Sequence, residues 1–166
     1  VLDVTVHDAA ATAAIIGGRA IAVTASAANQ DNSADGPPDA VMTTIEWQIP
    51  TGATVLVQTH DAYNNPHLPT GLHVLGTAGA LVAEHNNTGD PVGDLTLWRG
   101  LQAEPLDVGP RADLYETTVR AFTAAVRGTG DVIVTGEAGV ASLAVSLAVT
   151  EALRTGRRVL VEEVGL

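Results

Sequence analysis

The chain has 166 residues, 46% apolar and 16% charged, a composition that excludes a disordered segment and gives enough length for one compact domain with its own core. Nineteen Asp and Glu against eight Lys and Arg leave a formal charge of -11, which repels polyanions and anionic bilayers, so nucleic acid and membrane surfaces are excluded as partners. With no cysteine there is no disulfide framework and no thiolate chemistry, in keeping with a cytoplasmic protein.

No apolar run approaches the roughly 18 residues needed to cross a bilayer, and no basic stretch followed by an apolar block marks a secretory signal. The first residue is Val1 rather than Met, so further polypeptide is expected upstream.

In chain order, Val1-Leu2-Asp3-Val4-Thr5-Val6-His7-Asp8 opens the sequence and an Ala-rich stretch over 9–16 follows. Alanine favours helix and Gly17-Gly18 suits its C-terminal cap, so a short helix is expected after His7, with Asp8 as its N-cap. Short β-rich runs then alternate with turn residues: 21–25, 41–49, 54–60, 72–75, 80–83, 94–98 and 104–108. Pro50-Thr51-Gly52 and Gly76-Thr77-Ala78-Gly79 read as tight connections, so the strands form an antiparallel meander.

The remainder is helical. Asp113 with Glu116 three residues on makes an acidic capping box, and Tyr115, Val119, Phe122 and Val126 recur on one face of the helix it starts. A second helix runs over about 137–154, capped by Thr135 and stopped by Gly156, with Val140, Leu143, Ala144, Leu147 and Ala148 as its buried stripe. Residues 157–161 read as a terminal strand or extension. Segregated strands and helices predict an α+β fold, an open and mostly antiparallel sheet of about six strands with helices on one face. The other face, apolar and open, calls for cover by a second subunit.

Two places concentrate chemistry. Asp3 and His7 stand four residues apart, a spacing that brings them to one side of either a helical turn or a strand. Imidazole moves protons near neutral pH and a carboxylate orients it. An Asp/His pair also serves as a structural cap, and the residues alone leave both readings open. The second place is Thr59-His60-Asp61-Ala62-Tyr63-Asn64-Asn65-Pro66-His67, which follows a strand and reads as a loop whose His60, Asp61 and His67 can hydrogen-bond a polyhydroxylated ligand or simply face solvent. The five histidines show no zinc-type spacing, so no metal is expected. No Gly-x-Gly-x-x-Gly lies between a strand and a helix, so this chain carries no recognisable dinucleotide site.

Taken together these motifs resemble the C-terminal domain of the glucose–fructose oxidoreductase / inositol dehydrogenase (Gfo/Idh/MocA) family. The opening through His7-Asp8 is similar to that family's entry into its second domain. Residues 69–81, around Gly76-Thr77-Ala78-Gly79, are similar to its strand–turn–strand. Residues 113–128 and 135–159 resemble its last two helices and tail. The resemblance spans essentially the whole chain. It implies a dihydrodipicolinate-reductase-like α+β domain that binds substrate and pairs between subunits through its open sheet face. It also implies an oxidoreductase using NAD or NADP on a sugar, polyol or related alcohol or ketone. By the same resemblance Asp3 and His7 match the catalytic pair, His7 as acid/base at the carbinol oxygen and Asp3 orienting substrate or His7; Asp8 lies beside the pair without a family role, as a further substrate-binding candidate, and His60, Asp61 and His67 are expected near the substrate from their loop position. The nucleotide-binding Rossmann domain that precedes this domain in the family is absent from this chain, so the chain alone is expected to hold no cofactor and to be inactive. Two other readings remain at this point: a free-standing domain that binds sugars or assembles through its sheet, and a stand-alone acid/base enzyme using Asp3 and His7.

Overall fold

The computed structural model describes residues 2–29, 38–62, 70–86 and 88–165. In chain order the elements are α1 (Thr5–Ile16), β1 (Arg19–Ala28), β2 (Ala40–Gln48), β3 (Thr54–Ala62), β4 (Gly71–Gly76), β5 (Gly79–Glu84), β6 (Asp94–Arg99), β7 (Gln102–Leu106), α2 (Leu114–Val126), α3 (Gly136–Thr155), β8 (Val159–Leu160) and a closing 3-10 turn, Val161–Val164. The chain divides into two compact units, one of residues 1–66 and 134–166, the other of residues 67–133.

The first unit is a four-stranded antiparallel sheet, in the order β3-β2-β1-β8, with α1 and α3 on one face. Alternation decides which face. On β2, Val41, Thr43, Ile45 and Trp47 are buried while Met42, Thr44, Glu46 and Gln48 are not. Val23 of β1 and Ala9 of α1 join them, with Val145, Ala148, Val149 and Ala152 of α3 and Val159 of β8. At about 25 cal/mol per Å² these apolar side chains are the main stabilising contribution of the unit. Two contacts lock α1 to the sheet. The Trp47 indole Nε1 donates to the Gly17 carbonyl at 2.6 Å. Gly18, at φ +81°, lies so close to β2 that a Cβ would stand 2.0 Å from the Gln48 carbonyl oxygen.

The buried face of α3 differs from the expected stripe. Ser142, Val145, Ser146, Ala148, Val149 and Ala152 are buried, whereas Val140 and Leu143 are exposed. Small side chains let α3 approach β1 and α1 closely, and Ser146 satisfies its hydroxyl by donating to the Ser142 carbonyl, so turning serines inward costs little. The caps are as expected: the Thr135 hydroxyl accepts from the Ala138 N–H and Gly156 closes the helix in the left-handed conformation. By length and composition α3 is also apolar enough to cross a membrane, contrary to the expectation that no run approached that length; here it packs on β1 and α1.

The second unit is the meander β4-β5-β6-β7, all antiparallel, followed by α2. The α+β class is therefore as expected. The strands form not one sheet of about six but two of four, Val159–Leu160 adding an edge strand to β1. The Asp113 carboxylate caps α2 by accepting from the Glu116 N–H at 2.8 Å. The helix is amphipathic as its spacing predicts, yet no side chain of α2 is buried: Tyr115, Val119, Phe122 and Val126 are all exposed, Phe122 by 71%.

Candidate active site

The first turn of α1 and the end of β3 carry the site. The helix begins at Thr5, one turn earlier than the Ala-rich run suggests, and Val4 precedes it without a side-chain cap. Asp8 is therefore not an N-cap. It sits inside the first turn, where a carboxylate still gains from the helix dipole. Starting at Thr5 also separates Asp3 from His7. Asp3 lies in the turn before the helix and His7 on the helix, both are exposed, and among the described residues no hydrogen bond joins them.

Thr5, Ala9 and Thr12 form the buried side of α1, and Asp8, three residues after Thr5, is half-buried beside them. Across from this turn, β3 continues through His60 and Asp61 to Ala62, so these two are strand residues, not the loop residues expected. Strand alternation then splits them. Asp61 shares the helix-facing side with Val57 and Thr59, whose hydroxyl bonds that of Thr43 at 2.8 Å, whereas His60 is exposed on the opposite face. The structure thus brings Asp61 to the helix side with Asp8 and sends His60 away from it. His67 lies outside the described residues.

The electrostatics follow from burial. Asp8 is pushed up to about 6, first by burial, then by the charge of Asp61, with His7 pulling the other way. Burial likewise pushes Asp61 up, opposed in part by His60. Asp8 Oδ2, Asp61 Oδ2 and Thr5 Oγ1 are all shielded from solvent and lack a hydrogen-bond partner. Buried acceptors without donors are costly, which is why these carboxyls hold protons more tightly than exposed ones do. Sequence reasoning missed Thr5. Its only signal is the i, i+3 spacing to Asp8, which means something only once the helix is known to start at residue 5.

An α+β chain with acid/base residues at one sheet end matches the family model described as oxidoreductase family, C-terminal alpha/beta domain, over residues 1–161. The chain is thus a C-terminal alpha/beta domain of that family. It belongs to the Gfo/Idh/MocA family.

A 1,5-anhydro-D-fructose reductase from Ensifer adhaerens is 36% identical over 162 residues, covering 98% of this chain and 47% of that protein. The chain therefore spans about half the length of this curated relative. Among solved structures it is similar to the aldose-aldose oxidoreductase of Caulobacter crescentus complexed with glycerol, with a TM-score of 0.78 at 19% identity over 94% of this chain and 45% of that one. It is also similar to biliverdin reductase from Synechocystis in complex with biliverdin and NADP+, with a TM-score of 0.63 at 16% identity over 90% of this chain and 45% of that one. At these identities the likeness is one of fold.

Proposed function

We propose that this chain is the substrate-binding and acid/base half of a cytoplasmic, NAD(P)-dependent oxidoreductase acting on a sugar, polyol or related alcohol or ketone. The observation that carries the reading is the first turn of α1. It presents His7 to solvent at the sheet end where Asp8 and Asp61 stand, with Asp3 in the turn before it. The sugar reductase from Ensifer adhaerens, similar over nearly the whole chain, supports the substrate class.

In this reading the imidazole of His7 takes the proton of the carbinol oxygen as the alcohol becomes a carbonyl, and returns it in the reduction. Asp3 orients substrate or imidazole from the preceding turn. Asp8 and Asp61 accept hydrogen bonds from substrate hydroxyls.

The residues of this site do not fit the diphosphate of a dinucleotide. Beside the Thr5 hydroxyl, the unpartnered buried atoms here are carboxylate oxygens, acceptors like the phosphate oxygens themselves, and no glycine-rich strand-to-helix turn offers a row of N–H donors. The nucleotide therefore belongs to polypeptide beyond these residues, and only the proton half of the reaction is assigned here.

The full-length enzyme tests this. Replacing His7 by Ala lowers kcat/KM about 100- to 10,000-fold while leaving NAD(P) affinity intact; an unchanged kcat/KM refutes the assignment. The face of the β3-β2-β1-β8 sheet away from the helices exposes Met42 by 57% and Leu56 by 67%, which supports pairing of two copies through that face. Sedimentation at micromolar concentration showing monomer alone refutes the pairing.

A further inference from the structure

The arginines of the first unit, with Glu46, Glu151, Glu162 and Glu163 among them, lie toward one end of its sheet, and the other end holds carboxylates without arginine. Ala28, Ala40 and Ala62 stand side by side at one end, which also holds Asp61. Arg19 stands at the other, paired with Gln48. The chain has no lysine, and the remaining arginines of this unit are Arg154, Arg157 and Arg158. Arg154 pairs with Glu151 in the last turn of α3, which leads into β8. Arg158 grips Glu46 with two bonds of 2.6 and 2.7 Å, and Glu46 is level with Ala22, six residues and about 20 Å along β1 from Ala28. Around the first turn of α1 and the end of β3, every charged side chain among the described residues of this unit other than histidine is therefore a carboxylate: Asp3, Asp8, Asp39 and Asp61.

The same place is short of hydrogen-bond donors. Thr5 is fully buried with its hydroxyl unpartnered, and Asp8 and Asp61 each bury one unpartnered oxygen. Neither carboxyl makes a hydrogen bond among the described residues, and both residues remain partly exposed. Such surroundings favour a ligand that brings donors and no negative charge. The first turn of α1 has no side-chain cap, but Asp8 lies within it and Asp3 in the turn before, so an anion approaching it meets like charge.

Resting on the sugar-oxidoreductase reading above, we propose that Asp8 and Asp61 are specificity-determining residues: they accept the hydroxyl groups of a neutral sugar and reject its phosphorylated or carboxylated counterparts. Hydroxyls donate to the carboxylate oxygens, while a phosphate meets like charge at an end of the unit that holds no arginine.

The test uses the full-length enzyme with NADPH and NADH. The substrates are 1,5-anhydro-D-fructose and D-glucose, each against its 6-phosphate, and the readout is kcat/KM. The neutral sugar is favoured by at least about tenfold, and Asp8→Asn and Asp61→Asn each narrow that ratio several-fold by improving the phosphate. Equal or better turnover of the phosphate overturns the specificity while leaving the oxidoreductase reading standing. So does a ratio unchanged in both variants. Failure to turn over any of the four sugars overturns the sugar reading, and this inference with it.

Discussion

Asp8 on α1 and Asp61 on β3 each bury one carboxyl oxygen that no donor reaches, and the charge of Asp61 helps to hold the Asp8 proton. A carboxyl kept at about 6 in the folded chain and at 3.8 in the unfolded one binds more protons when folded. Its penalty is absent below about pH 4, grows as pH rises through the folded value, and is complete above it.

The chain is accordingly expected to lose stability between pH 4 and 6.5 on account of this group, and Asp8→Asn removes that loss. At pH 7 the variant is more stable by about 1–2 kcal/mol, the shift being discounted because the group is only half-buried. Urea unfolding at pH 5 and 7.5 measures it, and a variant less stable than the parent at pH 7.5 contradicts the account.

Trp47 is 3% exposed and its indole N–H satisfies the last carbonyl of the α1 connection. Trp47→Phe leaves the Gly17 carbonyl without that donor and opens a small void. The expected loss is about 2–3 kcal/mol, read as a lower thermal midpoint. A change below about 0.5 kcal/mol shows that the bond contributes nothing.

Gly18→Ala puts a methyl group 2.0 Å from a backbone oxygen at a positive φ. Backbone cannot yield as a side chain can, so a loss of about 2–4 kcal/mol is expected, with β1 and β2 partly unpaired near Gln48. Hydrogen exchange localises it, and full protection of the Arg19 to Ala22 amides refutes it.

Helices α2 and α3 make opposite predictions. Val149→Ala, fully buried, costs about 2–3 kcal/mol. Phe122→Ser, on the exposed stripe of α2, changes the stability of this chain by no more than about 0.5 kcal/mol. Equal losses at the two positions contradict the burial pattern.

Local signals were strong wherever the chemistry is local. Asp113, Thr135 and Gly156 cap as their side chains and backbone demand, because a cap bonds groups only a few residues away. Strand alternation and the Pro50-Thr51-Gly52 turn likewise placed β1 to β3 and the α+β class, and the Asp3, His7 and strand–turn–strand motifs carried the family.

What required the tertiary structure is whatever depends on a neighbour distant in sequence. The spacing of Tyr115, Val119, Phe122 and Val126 specifies an apolar face but not what covers it, and here they are exposed. Val140 and Leu143 look more apolar than Ser142 and Ser146, yet the serines face inward because α1 and β1 leave room only for small side chains. Asp61 joins Asp8 while His60 does not, since β3 runs two residues further than its loop-like composition suggests and a two-residue period sends adjacent side chains to opposite faces. The residue types able to move protons and bind hydroxyls were legible in the sequence. Which of them come together was decided by the packing of α1 against β3.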